Sequence, residues 1–100
     1  MNVKLDYEVA PSKRVIKFVK KLSDRRLKSI ISDIIFTDIP SNPFKGTPKH
    51  GDLAGYWTWS FTYRKTEYRI AYLIEKDSII PILLVGSHEN FYEKLKRIST

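Results

Sequence analysis

Apolar and polar positions alternate strictly over residues 2 to 9. Val3, Leu5, Tyr7 and Val9 fall on one side and Asn2, Lys4, Asp6 and Glu8 on the other, the period-two signature of a half-buried strand. Pro11 ends that pattern. The period then changes, because Val15, Phe18, Val19 and Leu22 stand at i, i+3, i+4 and i+7. This is one apolar face of a helix, and Ser12 is placed to cap its first turn. After a break at Ser23-Asp24, Leu27, Ile30, Ile31, Ile34 and Ile35 repeat the stripe, so the pattern predicts two short helices joined as a hairpin.

Between residues 39 and 55 the periodicity stops at Pro40, Pro43, Gly46, Pro48, Gly51 and Gly55, which predicts a long loop. Seventeen residues is long for a compact domain, and such loops tend to carry function. Alternation returns with Trp57, Trp59, Phe61 and Tyr63 against Thr58, Ser60, Thr62 and Arg64. A second run follows, Tyr68, Ile70, Tyr72 and Ile74 against Arg69, Ala71, Leu73 and Glu75, and a turn at Lys76-Asp77-Ser78 leads into an apolar run over residues 79 to 85. These read as a three-stranded antiparallel meander. Pro81 cannot donate to a ladder, so the start of the last strand is expected to be unpaired on one side or bulged. Phe91, Leu95 and Ile98 then predict a short final helix. The order is that of an α+β domain: an N-terminal strand, a helical hairpin, and a three-stranded meander joining one twisted sheet, followed by a short C-terminal helix.

Composition narrows the class. One hundred residues with 42% hydrophobic positions suffice for one domain with one core. No cysteine is present, which excludes a disulfide scaffold, a thiolate zinc site and a cysteine nucleophile. The first residues lack the apolar core of a signal peptide, and no apolar run is long enough to cross a bilayer. The cytoplasm is the expected compartment and no membrane partner is expected. With 18 Lys+Arg against 11 Asp+Glu the formal charge is +7, which favours a polyanionic partner.

Four groups of residues carry candidate chemistry. Arg69 shares a strand face with the small Ala71 and faces the polar row of Thr58, Ser60, Thr62 and Arg64, so a basic, open side of the sheet is expected there. Read blandly, Arg69 is only a cross-strand surface charge. His88 and Tyr92 lie four residues apart where the last strand gives way to the helix, a spacing that would put both on one helix face. Imidazole and phenol suit acid–base work beside a phosphate-binding arginine, although a histidine there also serves simply as a cap. The loop adds Lys45, Lys49 and His50. Two histidines with a lysine or arginine form the minimum set for metal-free RNA cleavage, in which a base deprotonates the 2′-OH, cations stabilise the phosphorane and an acid protonates the departing 5′-oxygen. The acids are scattered without metal-ligand spacing, so no metal or other cofactor is expected. Finally, Lys13, Arg14, Lys17, Lys20, Lys21, Arg25, Arg26 and Lys28 stand against the single acid Asp24. They form either the solvated side of an amphipathic helix or a surface for RNA backbone.

The segments Asn42-Pro43-Phe44-Lys45-Gly46, Lys49-His50 and Asp52-Leu53-Ala54-Gly55-Tyr56-Trp57 resemble the loop and second-strand entry of the RelE/YoeB toxins. Tyr68-Arg69-Ile70-Ala71-Tyr72 resembles that family's arginine strand, and residues 85 to 92 resemble its ending, in which an arginine or histidine precedes a tyrosine. The chain is similar to the RelE/ParE superfamily across its second half, with a compatible order of elements in the first. The resemblance implies a RelE-like fold and the toxin of a bacterial type II toxin–antitoxin pair that cleaves mRNA in the ribosomal A site without a metal. It implies Arg69, His88 and Tyr92 as catalytic residues. It leaves Lys49 and His50 as further catalytic, phosphate-binding or supporting candidates, with Arg64 and Lys65 as electrostatic helpers. The eight cations between residues 13 and 28 would then contact ribosomal RNA. A cognate antitoxin, the ribosome and mRNA are the implied partners. Two departures stand out: Thr58 and Ser60 occupy the strand where RelE has catalytic lysines, and the YoeB-type catalytic glutamate has no counterpart. Two other readings share these residues, a ParE-type inhibitor of DNA gyrase with the same fold and a non-catalytic basic RNA-binding module.

Overall fold

The computed structural model describes residues 7–99. Strand β1 (Glu8–Pro11) leads to helix α1 (Lys13–Lys21) and helix α2 (Arg25–Asp33). After a π-helical turn at Ile34–Asp38 comes a last helical turn, α3 (Ile39–Ser41). Strands β2 (Thr47–Pro48), β3 (Trp57–Tyr63), β4 (Thr66–Tyr72) and β5 (Ile79–Ser87) follow, and helix α4 (Phe91–Ser99) ends the chain. They form one sheet of five strands in the order β1-β5-β4-β3-β2, with β1 parallel to β5 and the other pairs antiparallel. The α+β class, the helical hairpin and the meander expected from the sequence are present. Tyr7 and Val9 pack against the core while Glu8 is exposed, so the alternation holds there and the strand extends to Pro11. Residues 2 to 6 of the expected strand lie outside the described residues.

The caps follow the sequence. Ser12 Oγ accepts from the Val15 N–H at 3.3 Å, and Asp24 Oδ1 accepts from the N–H groups of Arg26 and Leu27 at 3.1 Å each, satisfying donors that a first turn leaves open.

The expected loop over residues 39 to 55 is largely ordered structure. Helical backbone persists to Ser41, because the chain widens into a π turn before Pro40. In an unbroken α-helix the proline ring would collide with the carbonyl four residues back. Beyond it, single 3₁₀ turns at Pro43–Lys45 and Gly51–Leu53 flank β2, which pairs with the start of β3. The Tyr72 hydroxyl fastens this segment by donating to the Pro43 carbonyl at 2.6 Å.

The two faces of the sheet are covered unequally. Ile70, Tyr72, Ile80, Ile82 and Val85 pack under the helical hairpin against Val15, Leu27, Ile31, Ile34, Ile35 and Ile39. On the other face Phe91 and Leu95 of α4 cover Ala71, Leu84 and Leu53. A bulge separates the two sets: Ala71 pairs with Leu84 but Tyr72 pairs with Ile82, so Leu83 is the extra residue. That residue shifts the alternation by one, turning Ile82 toward the hairpin and Leu84 toward α4. The irregularity expected from Pro81 thus falls two residues later, and Pro81 itself accepts through its carbonyl from the Leu73 N–H. Among the described residues no helix is long and apolar enough to cross a membrane.

Candidate functional site

Past Ala71 and Leu84 the next cross-strand row is Ser60, Arg69 and Gly86, with Ser60 exposed, Arg69 half-buried and the Phe91 ring beside Gly86. Arg69 stands in the middle of this row, which alternation along β4 places on the same face as Ala71. Its guanidinium lies 5.1 Å from the centre of the Tyr92 ring, supplied by the first turn of α4. Lys49 reaches the same ring, with its Nζ 5.0 Å from the centre. Its own backbone is held by an N–H bond to the Tyr56 carbonyl at 2.9 Å, just after β2. Three parts of the chain thus bring two cations and a phenol together. Fixed cations on an aromatic face are attracted by its quadrupole, most strongly where water is partly excluded.

Glu67 completes the cluster. Its carboxylate meets Arg69 Nη2 at 2.7 Å, with the arginine side chain 22% exposed and the glutamate 41%. Sequence reading missed this residue. The signal was its position two residues before Arg69 on one strand, which places both side chains on the same face. A guanidinium carries five donors, so Glu67 holds Arg69 in the row without exhausting its capacity for an oxyanion.

His88 sits elsewhere than expected. The helix begins only at Phe91, so His88 and Tyr92 do not share a helix face. His88 lies in the bend after β5, exposed, with its N–H bonded to the Glu67 carbonyl at 2.9 Å. The strand thereby runs one hydrogen bond further before the chain turns through Asn90, at φ 56°. His88 accordingly follows the outer end of the Arg69–Glu67 edge through its backbone, as an exposed residue. His50 is exposed on the turn after Lys49, and no contact joins its side chain to the cluster among the described residues.

Arg64 and Lys65 form the tip of the β3–β4 hairpin, both with positive φ (49° and 67°). Arg64 turns away from the Arg69 row: it lies 3.7 Å from Asp24 and 5.3 Å from the centre of the Tyr63 ring. The Tyr63 hydroxyl donates to the same carboxylate, 3.0 Å from each oxygen. The Asp24 carboxyl is held below its ordinary range, chiefly by the Leu27 N–H. Arg64 therefore ties the hairpin tip to the start of α2.

The eight cations of residues 13 to 28 border different places. Arg14, Lys17 and Lys21 line a groove between α1 and the end of β5, whereas Lys20 borders a separate apolar groove with Ile16 and Phe36. Lys13, Arg25 and Arg26 are exposed and Lys28 is half-buried. No group of three or more His, Asp or Glu side chains arranged to hold a metal ion occurs among the described residues.

The fold and this row of polar side chains define a small α+β toxin-like domain. A profile of the ParE-like toxins of type II bacterial toxin–antitoxin systems matches residues 9–96. The chain belongs to that family. A search of curated proteins found no significant match. Among solved structures, the toxin–antitoxin complex RelBE2 from Mycobacterium tuberculosis matches with a TM-score of 0.66 and 26% identity, over 82% of this chain and 91% of the other.

Proposed function

We propose that this toxin is an endoribonuclease that cuts mRNA in the ribosomal A site, in the cytoplasm of its host. The observation that carries the reading is the convergence of Arg69, Tyr92 and Lys49 on one face of the sheet. In this scheme Arg69 and Lys49 take the negative charge of the scissile phosphate and, more strongly, of the phosphorane. His88 accepts the proton from the 2′-OH, whose oxygen then attacks phosphorus. The departing 5′-oxygen takes a proton from the Tyr92 phenol, leaving a cyclic phosphate and a free 5′-OH. The ribosome supplies the positioning that so small a domain lacks. An antitoxin neutralises the protein, in keeping with the toxin–antitoxin complex to which the fold is similar, and an acidic segment would suit its charge.

One observation favours a second reading: the matching family profile is that of ParE-like toxins, so the alternative target is DNA gyrase. Primer extension on ribosome-bound mRNA separates the two. Stops within the A-site codon, lost in Arg69→Ala, support the ribonuclease. Intact message together with cleaved plasmid in a gyrase supercoiling assay refutes it. Neither product would leave a basic RNA-binding module.

A further inference from the structure

Beyond Ile82 the outer edge of β5 is open. β1 pairs with β5 only as far as Pro11 opposite Ile82, and the Ser12 N–H then bonds the Ile82 carbonyl at 2.9 Å as the chain turns into α1. β5 runs on to Ser87 with no other described strand on that side. On its inner side, Gly86 faces Arg69 and the His88 N–H bonds the Glu67 carbonyl. Bonded and non-bonded pairs alternate in an antiparallel ladder, so the peptide groups of Leu84 and Gly86 point to β4 and those of Val85 and Ser87 point outward.

They point into a groove of about 640 Å³ between α1 and α4. Arg14, Lys17 and Lys21 line one wall at i, i+3 and i+7, and Lys94 lines the other. No carboxylate lines it, and none of the ion pairs between described residues involves these four side chains. Like charges gathered without a counter-charge repel, and a concave wall focuses their field on an anion. The apolar part of the lining, Phe18 and Leu84, offers a surface for a base or sugar.

Gly86 connects this groove to the candidate site. It lines the groove and is the direct cross-strand neighbour of Arg69. A Cβ there would meet only the edge of the Phe91 ring, at 3.9 Å, so the bare backbone forms a low saddle between the two places. We infer that the groove is a subsite for a single RNA strand, holding the nucleotide that adjoins the one whose phosphate sits at Arg69. This rests on the ribonuclease reading for its neighbour but not for its own binding. An acidic peptide has charge enough for the walls, yet the continuity over Gly86 to an arginine suited to phosphate favours the nucleic acid.

The test measures binding of a non-cleavable 2′-O-methyl hexauridylate to the full chain across a salt series. Lys17→Glu and Lys94→Glu should each weaken binding about tenfold and flatten the log–log salt slope by about 0.7, the value for one lost single-strand phosphate contact. Lys76→Glu, the same charge change in the exposed β4–β5 turn, should have little effect. Gly86→Ala should weaken binding without changing charge, since the added Cβ has room beside Phe91. Equal losses in Lys76→Glu, unaltered binding in the groove variants, or displacement of the RNA by hexaglutamate at equal concentration would each overturn the subsite. Cleavage of A-site mRNA by the wild type is scored separately. Cleavage with unchanged binding in the groove variants rejects the subsite and keeps the ribonuclease. Groove-dependent binding without cleavage keeps the RNA subsite and rejects the ribonuclease.

Discussion

Arg69 on β4 and Tyr92 on α4 meet at 5.1 Å, guanidinium to ring centre, so the residue assigned to the phosphate and the residue assigned to the leaving group hold each other in place. The two roles of Tyr92 are separable. Tyr92→Phe keeps the ring and its cations but removes the hydroxyl, and cleavage should fall by about 10²-fold or more, as for loss of a general acid. Tyr92→Ala should lose as much and also loosen Lys49, seen as weaker RNA binding. Arg69→Ala should abolish toxicity while stability changes by no more than about 1 kcal/mol, because its ion pair with Glu67 is partly solvated. Growth assays with paired thermal denaturation check this. Full toxicity in Arg69→Ala would remove the arginine from the mechanism.

His88 and His50, the chain's two histidines, should behave differently. Both are exposed, so alanine at either leaves stability within about 0.5 kcal/mol. His88 continues the Glu67 edge by its backbone bond, whereas His50 makes no contact with the cluster among the described residues. His88→Ala should abolish mRNA cleavage and His50→Ala should retain it. The reverse result would move the proton acceptor into the loop.

How much of this was legible depends on the range of the interactions. Alternation and helical stripes located the strands of the meander and the hairpin, because burial of one face is a local, periodic demand. The same alternation placed Arg69 on the open face. Helix ends were less legible: Pro40 reads as a stop, yet a π turn carried the helix to Ser41, and Asn90 delayed α4 past His88. The partners of Arg64 and Lys49 were beyond reach, since both depend on where distant segments dock. Arg64 meets Asp24 from 40 residues away and Lys49 meets Tyr92 from 43.

The β3–β4 hairpin turns through two residues with positive φ, Arg64 at 49° and Lys65 at 67°. Side chains with a Cβ are disfavoured there by about 1 kcal/mol each, and glycine is not. Lys65 makes no contact that this turn depends on among the described residues, so Lys65→Gly should raise stability by up to about 1 kcal/mol in urea denaturation. Toxicity should be unchanged if Lys65 plays no electrostatic part in catalysis, and a loss of toxicity with raised stability would give it one.

Asp24 links the α2 cap to the hairpin through Tyr63 and Arg64. Its carboxyl is held below the ordinary range, foremost by the Leu27 N–H and also by the Tyr63 hydroxyl and Arg64. A carboxyl depressed in the folded state contributes stability that is present above its unfolded value of about 3.9 and lost as pH falls through the folded value. Asp24→Asn keeps an acceptor but cannot titrate. Its melting temperature should therefore lie below that of the wild type at neutral pH, and the gap should close on acidification below about pH 4. A gap independent of pH would assign the loss to geometry rather than charge.

Tyr72 and Gly46 act as one fitting. The fully buried Tyr72 donates to the Pro43 carbonyl, and a Cβ on Gly46 would clash with the Tyr72 hydroxyl and stand 2.9 Å from the Thr58 carbonyl. Gly46→Ala should therefore cost about 1–3 kcal/mol, the usual penalty for overpacking. Burial pushes the Tyr72 phenol up to about 12. A group raised in the folded state gives stability that is complete below its unfolded value of about 10 and lost as pH rises through the folded one. Over that window the wild type should lose roughly 2–3 kcal/mol that Tyr72→Phe does not. At neutral pH the same variant should be destabilised by about 1–3 kcal/mol for the stranded Pro43 carbonyl. Alkaline titration of tyrosinate absorbance provides the direct measurement: the wild type should show a late phase near pH 12, smaller by one tyrosine in Tyr72→Phe. A titration curve identical in the wild type and Tyr72→Phe above about pH 11, with the fold retained, would show that the hydroxyl is not sealed beneath Gly46.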